Sequence, residues 1–397
     1  MNSYDVRTVS GNSCFSSDVT LDSFLLLPAK LPFTDRLKAF LYNWEVKAVF
    51  SAGVPLSTTA QPAVPASVLD QEELKTKSGA EQIKICQSVY DNYCAYLSGL
   101  FTVTREYHPL DSKAIVKAAE KLCDFIIQNR RLFLHVKMLY DGSGTLEETH
   151  KMLVYHCMHS AVLAVLVGLE FALTRQHLVD LTVAAMVHEA GMFYLSNDTY
   201  KGEKKLPVEH RESIKHVSMS AKILASAQFS PPIVTAVLEH QERENGSGYP
   251  KQLTGEYISS FGKILGVICS YEALCTPRPS RLSISPHRAM VEILTGANRL
   301  YDPKVANVLL RVLSLYPIGT YVLLSDGRCG QVVEVNPRDP RNPIVSPVEP
   351  AGIFGAGPDR QKSAAKLIVP HETTVKIVRE LSKEEFRRES KNFAKNL

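Results

Sequence analysis

The stretch His240-Gln241-Glu242-Arg243-Glu244-Asn245-Gly246-Ser247-Gly248-Tyr249-Pro250 follows an apolar segment with helical spacing and continues as a glycine-rich loop. Asn-Gly and Gly-x-Pro sequences signal turns that a regular helix does not accommodate. The stretch closes a segment in which further histidines follow or lie in apolar helical patterns: His159, the pair His188-Glu189, and His216. Helices that each direct one or two such side chains inward can share one metal centre. The sequence therefore predicts a helical domain built around a metal site.

Two sequence elements in this region resemble those of the HD-GYP family, a branch of the HD metal-dependent phosphohydrolases. The stretch from Glu242 to Pro250 is similar to the end of the family element H-H-E-R-x-D-G-x-G-Y-P. Residues 272–281 are similar to the element D-A-L-T-S-x-R-P-Y-R, and the resemblance covers roughly residues 150 to 315. It implies the all-helical domain of a phosphohydrolase whose best-known substrate is the bacterial second messenger cyclic di-GMP.

The composition is that of an ordinary soluble protein, because 45% of the 397 residues are hydrophobic and 22% are charged. A chain of this length can hold two or three domains, each with its own core. The net charge of +4 is small, so we do not expect a long nucleic acid as a partner. The eight cysteines form no Cys-x-x-Cys pair, which argues against a disulfide scaffold or a zinc ribbon and favours a reducing, cytoplasmic location.

The apolar segments are too short to predict passage through a membrane. Residues Met1 to Val19 lack the charged and apolar layout of a signal peptide. The most apolar run, Ser160 to Leu169, is shorter than a bilayer is thick and is flanked by His156, His159 and Glu170. We therefore expect no membrane span.

The chain divides into five predicted segments. Residues 1–66 are a small α/β module and linker, in which a helix after the N-cap Thr34 lies between two strands. Residues 67–144 have helical periodicity and are predicted to be a connector. The HD-GYP-like helical domain covers 145–316, a β-rich module covers 317–380, and a basic helix that opens with the capping box Ser382 and Glu385 covers 381–397. The predicted fold class is thus mainly α, with an all-helical HD-type domain between a small α/β module and a small β module plus helix.

The resemblance implies a divalent metal site of one or two ions, with iron, manganese or zinc as candidates. His159 corresponds to the first ligand, although His156 lies three residues earlier on the same helical face and is an alternative register. His188 and Glu189 stand where the family has its His-Asp doublet, so both are predicted to be catalytic, with the carboxylate bridging two ions. The complete predicted ligand set is His159, His188, Glu189, His216, His240 and Cys269.

Four positions depart from the family pattern. Glu189 replaces aspartate and adds a methylene group, which displaces the bridging carboxylate. Met192 replaces the lysine of H-D-x-G-K, so a cation that would contact phosphate is missing. Gln241 replaces the second histidine of the H-H pair, and Cys269 replaces an aspartate ligand. Cys269 is either a thiolate ligand that makes the site softer, or an ordinary buried cysteine that leaves one metal ion short of a ligand.

Four further residues are predicted to bind cyclic di-GMP or a related guanine dinucleotide: Arg278, Arg281, Arg243 and Tyr249. Guanidinium groups bind phosphate in a bidentate manner and stack on guanine. The alternatives are that Arg278 and Arg281 are solvated loop charges, that Arg243 pins the glycine-rich loop, and that Tyr249 packs this loop. The loop and the N-terminal module are also candidate surfaces for a protein partner.

Two functions follow from this pattern. In the first, an HD-GYP protein of cyclic di-GMP signalling hydrolyses the dinucleotide to pGpG or GMP weakly or not at all, because of the substitutions at positions 189, 192, 241 and 269. In the second, a cysteine-containing metal site keeps the phosphodiesterase fully active. The substitutions affect the most chemically demanding positions and therefore favour the first function.

Overall fold

The computed structural model describes residues 1–9, 13–22, 24–29, 32–55, 62–65, 71–105, 110–142, 148–194, 207–278, 281–347, 368 and 374–395. The predicted fold class is confirmed, because the chain is mainly helical with small antiparallel sheets before and after the helices. Part of the predicted linker, residues 56–61, lies outside the described residues.

The N-terminal module has its own small core. Its larger sheet has the antiparallel order β1 (Asn2–Asp5), β6 (Ala48–Ser51), β3 (Val19–Leu21) and β4 (Phe24–Leu27), and β2 (Ser13–Cys14) pairs with β5 (Pro32–Phe33). α1 (Asp35–Asn43) begins at the predicted N-cap Thr34, whose hydroxyl accepts a hydrogen bond from the backbone N–H of Leu37. Phe15, Phe33 and Val49 are buried together beneath the sheet, so the module excludes water from an apolar cluster of its own.

The helices that follow carry most of the chain. They are α2 (Gln71–Lys75), α3 (Gly79–Arg105), α4 (Ser112–Gln128), α5 (Arg130–Phe133), α6 (Thr149–Glu170), α7 (Arg175–Val187), α8 (Pro207–Ser226), α9 (Pro231–Glu239), α10 (Ser260–Cys275), α11 (Pro286–Thr295) and α12 (Pro303–Leu313). Short 3-10 helices lie at Ala190–Tyr194 and Gly255–Tyr257. α4 begins at the predicted cap Asp111, which accepts a hydrogen bond from the backbone N–H of Ala114.

Helix α6 lies at the centre of this helical assembly. Its sequence from Met152 to Gly168 is almost entirely apolar, and nearly all of these side chains are buried. α3, α4, α7, α10 and α12 all pack against it. By length and composition α6 could cross a membrane, but 89% of its most apolar window is buried within the protein. Burial on all sides is expected of a core helix.

Helices α3 and α4, in the predicted connector, share one apolar core with the helices that follow them. Tyr90 and Leu97 of α3 and Leu122 of α4 are buried in the same cluster as Leu163 of α6 and Leu181 of α7. Amphipathic helices gain most of their stability from burying such a face. The boundary at residue 144 stays a prediction, since the packing continues across it.

The C-terminal module is a second small sheet with a helix. Its antiparallel order is β10 (Ile377–Leu381), β7 (Tyr321–Leu324), β8 (Cys329–Glu334) and β9 (Ile344–Pro347). α13 (Lys383–Lys395) opens with the predicted capping box, in which Ser382 N–H donates to Glu385 over 2.8 Å and Glu385 N–H donates to the Ser382 hydroxyl over 3.2 Å. The module is attached to the helices by stacking of the His287 and Tyr316 rings, whose centroids are 4.2 Å apart.

Candidate metal centre

Five helices and the carboxylate that follows one of them bring the candidate ligands together. His156 lies in α6, His216 in α8 and Cys269 in α10, whereas His188 and His240 are the C-cap residues of α7 and α9. All five side chains are buried, and so is Glu189, which follows His188 directly. A helix that ends at a ligand directs that side chain past its last turn into the space between its neighbours.

The two C-cap histidines are oriented by their own helices. His188 Nδ1 lies 2.8 Å from the carbonyl oxygen of Ala185, and His240 Nδ1 lies 2.7 Å from that of Val237. A carbonyl oxygen only accepts, so Nδ1 carries the proton in both rings and the Nε2 lone pair faces inward. Burial lowers the pKa of both histidines well below the ordinary value, so both rings are neutral and available as ligands.

His156, His188 and Cys269 form the first group that could hold a metal ion. The Nε2 atoms of His156 and His188 are 3.0 Å apart, and the Cys269 sulfur is 3.4 Å from His188 Nε2. Two nitrogen ligands at about 2.1 Å from one tetrahedral ion are separated by about 3.4 Å, slightly more than the distance between these two nitrogens. Two facing lone pairs repel at this distance unless a cation lies between them. The spacing and the donor types therefore fit a divalent metal.

His188, Glu189 and His240 form the second group, which shares His188 with the first. The Glu189 Oε1 atom lies 3.7 Å from Nε2 of both His156 and His188, and Oε2 lies 3.6 Å from Nε2 of His216. Burial would raise the pKa of Glu189, but His216, His156, His240 and Arg278 lower it, so the carboxylate is ionised. Glu189 thus lies between the two groups, as a bridging carboxylate would.

Two buried atoms of the second group make no hydrogen bond within the described part of the chain. Among the described residues, neither Glu189 Oε2 nor His240 Nε2 has a hydrogen bond, although both atoms are buried. A buried polar atom without a partner costs about 1–3 kcal/mol. A cation coordinated by these atoms would remove that cost, which is a second indication that the residues fit a metal.

Glu272 begins the second family element, but the sequence did not predict it as part of the metal centre. One oxygen of its fully buried carboxylate contacts Nδ1 of His156, and the other accepts a hydrogen bond from the Thr276 hydroxyl over 2.5 Å. Burial would raise the pKa of Glu272, but His156 and the neighbouring donors lower it to about 2. The ionised carboxylate fixes the His156 proton on Nδ1 and turns Nε2 towards His188. Its position three residues after Cys269 on α10 was the signal that could have revealed it.

We expect the substitution Glu272→Gln to weaken metal binding by about tenfold to a hundredfold, because the carboxylate orients the His156 ring towards the other ligands. Competition of the protein with a chelating dye measures this affinity. The exposed Glu256→Gln variant is the matched control and should bind metal like the natural protein. An unchanged affinity in Glu272→Gln would show that His156 does not depend on this carboxylate.

His159 lies outside both metal-capable groups, and the structure brings His156 there instead. The two residues are three positions apart on α6, so both are buried on related faces, but only the His156 ring contacts His188. Burial lowers the pKa of His159 to about 4. This geometry supports the alternative register, in which His156 is the ligand. The ligand role of His159 stays a prediction, and His159 belongs to neither metal-capable group.

The buried His159 should make the metal-free protein less stable in acid. Its folded pKa of about 4 lies below the ordinary 6.5, so the unfolded chain takes up the proton first and stability is lost as the pH falls below 6.5. Between about pH 7 and pH 5.5 we expect the natural protein to lose about 1 kcal/mol more unfolding free energy than His159→Gln. Urea unfolding at both pH values measures this difference, and equal losses in the two proteins would contradict it.

The glycine-rich loop is held by two residues that begin it. The buried Glu242 carboxylate accepts hydrogen bonds from the backbone N–H groups of Lys251 (2.7 Å) and Leu253 (3.0 Å). A Cβ at Gly248 would lie 2.4 Å from the Glu242 Cα, so only glycine allows the loop to fold back this closely. The loop is therefore shaped by packing against the end of α9.

Arg243 is engaged by this loop. Its guanidinium donates to the carbonyl oxygens of His240 (3.2 Å) and Glu242 (2.8 Å), and to the side chain of Gln241 (3.2 Å). It also lies over the Tyr301 ring, 5.5 Å from the centroid. These contacts support the alternative in which Arg243 pins the loop, and its predicted role in substrate binding stays untested.

The other predicted substrate residues are Arg278, Arg281 and Tyr249. Arg278 lowers the pKa of Glu189, and the Tyr249 hydroxyl interacts electrostatically with Glu189 and Arg278 while burial raises its pKa to about 12. Arg278 and Arg281 exchange backbone hydrogen bonds of 2.9 Å in a tight turn. Arg281 also donates to the carbonyl oxygen of Ala273, at the end of α10. Arg278 and Tyr249 are thus the predicted substrate residues that interact electrostatically with Glu189.

Comparison with known proteins identifies this helical domain. A family model described as an HD domain matches residues 146–305. The cyclic di-GMP phosphodiesterase PdeB of Borreliella burgdorferi is 28% identical over 196 residues, which are 48% of this chain and 52% of that protein. A cyclic di-GMP phosphodiesterase of Pseudomonas aeruginosa is 30% identical over 204 residues, 48% of this chain and 47% of its own. The helical domain at residues 146–305 is of the HD-GYP type. The chain spans about half the length of these two relatives.

HD-GYP relatives differ in the dinucleotide that their names record. A 3'3'-cGAMP-specific phosphodiesterase of Vibrio cholerae is 25% identical over 163 residues, 41% of this chain and 35% of that protein. The names of these relatives thus record two different cyclic dinucleotides.

Two HD-GYP positions that differ in this chain have structural partners of their own. Met192 is 6% exposed and belongs to the apolar core. Gln241 accepts a hydrogen bond from Arg243. The glycine between the doublet and Met192 is retained, because a Cβ at Gly191 would lie 2.3 Å from the carbonyl oxygen of His216. The backbone at Gly191 therefore lies close to α8. The next side chain, Met192, is apolar where the family pattern has a lysine that would contact phosphate.

Proposed function

We propose that the chain binds cyclic di-GMP and hydrolyses it slowly to pGpG or GMP, as a metal-dependent HD-GYP phosphodiesterase. The observation that carries this proposal is the pair of metal-capable groups that share His188. The names of the relatives from B. burgdorferi and P. aeruginosa support cyclic di-GMP as the substrate.

Each residue of the site has a role in this proposal. His156, His188, His240 and Cys269 hold the divalent metal, which when bound supplies Lewis-acid activation of water and phosphate. Glu189 bridges the two groups as a charged acceptor for the proton of the attacking water. These five side chains exclude bulk water from the centre, because all five are buried. Arg278 provides a guanidinium for a phosphate of the substrate.

Slow hydrolysis follows from the charges that the site lacks. Met192 offers no cation where the family pattern has lysine, and a charge-assisted contact to phosphate is worth about 1.5–3 kcal/mol. Gln241 is bonded to Arg243 and replaces an imidazole ligand. The alternative, a fully active enzyme, requires that the cysteine-containing site compensates for both losses.

Zinc is the cation that this donor set favours. Two imidazoles and a thiolate form a softer site than carboxylates do, and softer sites select zinc over manganese. Burial raises the pKa of Cys269, so its proton must leave when a metal ion binds. Iron and manganese are therefore the weaker candidates for the first group.

The variant Cys269→Asp should exchange zinc for manganese or iron, because a carboxylate is a harder ligand than a thiolate. Elemental analysis of the purified protein measures this change. Cys275→Ala is the matched control, since Cys275 is a buried cysteine on the same helix outside both groups. Equal zinc content in Cys269→Asp and the natural protein would remove Cys269 from the ligand set.

A turnover assay with metal quantitation tests the proposed function. We expect at least one zinc ion per chain, saturable binding of cyclic di-GMP, and a rate about a hundredfold below the typical enzymatic value of about 10 per second. A rate near the typical value would favour the fully active alternative. Failure to bind cyclic di-GMP at any metal loading would contradict the proposal.

The proposal includes a cytoplasmic location and a protein partner for the chain. The seven cysteines whose side chains are described are all free and buried, which suits a reducing cytoplasm. A protein partner would use the glycine-rich loop or the N-terminal module, where Phe24 and Trp44 are exposed.

A further inference from the structure

A cavity of about 720 Å³ lies where the C-terminal module meets the helices. We call it the basic cavity. Leu166 and Leu169 at the end of α6 and Val312 of α12 form one wall, and Val333 and Val335 at the end of β8 form the opposite wall. The volume is within the range of about 300–1,000 Å³ that is usual for small-molecule sites.

Three arginines give the basic cavity its charge: Arg130, Arg131 and Arg311. Among the described residues none of the three guanidinium groups has an ion pair or a hydrogen bond with another side chain. Two carboxylates, Glu170 and Glu334, also line the cavity, so the arginines exceed them by one. Unpaired guanidinium groups beside an apolar floor are suited to a ligand that carries an anionic group on an apolar body.

The lining argues for an acyl chain rather than a nucleotide. The described residues that line the basic cavity include no phenylalanine, tyrosine, tryptophan, asparagine or glutamine, and their one aromatic ring is the imidazole of the exposed His135. Nucleotide bases are recognised by stacking on rings and by hydrogen bonds to such amides. The aliphatic walls instead match a flexible hydrocarbon chain, whose burial is favourable in proportion to its apolar area.

We propose that the basic cavity binds one single-chain amphipathic carboxylate, a fatty acid, with the chain between the two apolar walls and the carboxylate among the three arginines. This site is separate from the metal centre. Leu166 is ten residues beyond His156 on α6, which corresponds to about 15 Å along the helix. Because its walls come from the helices and from the C-terminal module, the ligand would join the two.

Calorimetric titration of the full chain with dodecanoate below its micelle concentration tests this proposal. We expect saturable binding of one dodecanoate per chain, and at least about tenfold weaker binding of dodecanol, which lacks the charge. The double variant Arg131→Gln, Arg311→Gln should weaken dodecanoate binding by a similar factor. The exposed Arg299→Gln variant, outside the cavity, should bind like the natural protein.

A second variant tests the contribution of the apolar walls to dodecanoate binding separately from that of the charges. Leu169→Trp fills the space between the walls and should abolish dodecanoate binding, while circular dichroism reports whether the helices remain folded. Unsaturable uptake, equal affinity for dodecanol, or unchanged affinity in the arginine double variant would overturn the proposal. Competition by cyclic di-GMP for the same dodecanoate-binding cavity would also overturn it, since it would make this a nucleotide site.

Discussion

Replacing His188 by glutamine (His188→Gln) should remove most of the bound metal and lower turnover of cyclic di-GMP by at least about a hundredfold. His188 belongs to both metal-capable groups, and its Nε2 atom lies 3.0 Å from His156 and 3.4 Å from Cys269. Loss of a residue that merely orients a ligand costs about 10–100-fold in metal affinity or activity. Loss of a shared ligand should cost at least as much. Elemental analysis and a product assay measure the two effects.

The matched control for this substitution is His177→Gln. His177 is an exposed histidine near the start of the same helix, α7, so the substitution changes the same chemistry away from the centre. We expect natural metal content and turnover in this variant. If His188→Gln retained its metal, the two groups would not be a metal centre. This result would contradict the proposed function.

The variant Met192→Lys should raise turnover by about tenfold to a hundredfold, since one charge-assisted contact to phosphate is worth about 1.5–3 kcal/mol. Met192 is 6% exposed and follows the Glu189-Ala190-Gly191 turn. The lysine stem can occupy the apolar space of methionine while its ammonium group reaches the substrate. Initial rates at saturating cyclic di-GMP and at several metal concentrations measure the gain.

The neutral variant Met192→Gln separates charge from a change of shape or polarity at this position. We expect it to remain as slow as the natural protein, or slower. Equal rates in the lysine and glutamine variants would mean that the missing cation does not limit hydrolysis. The substitution at position 241 or 269 would then be the next to examine.

Local signals allowed much of the fold to be predicted from the sequence. The caps at Thr34 and Asp111 and the capping box from Ser382 to Glu385 are short-range hydrogen bonds, so the residues that make them are adjacent in the chain. The glycine-rich loop was likewise recognisable, because turn residues act over a few positions.

Contacts between distant residues could not be predicted in the same way. His156 and His159 lie on related faces of α6, and only the position of His188 distinguishes them. Glu272 joins the site through a contact with a residue 116 positions earlier. β10 pairs with β7, from which it is separated by a long segment of the chain. The periodicity of a sequence can predict a strand, but it does not predict which strand pairs with it.

The shared core of α3, α4, α6 and α7 determines how small a working piece of this chain can be. A fragment that began at residue 145 would leave the side chains that Tyr90, Leu97 and Leu122 now cover open to water. An apolar surface exposed in this way promotes self-association of the fragment. Helices α3 and α4 therefore belong to the same folding unit as the metal ligands, even though none of their described residues lies in either metal-capable group.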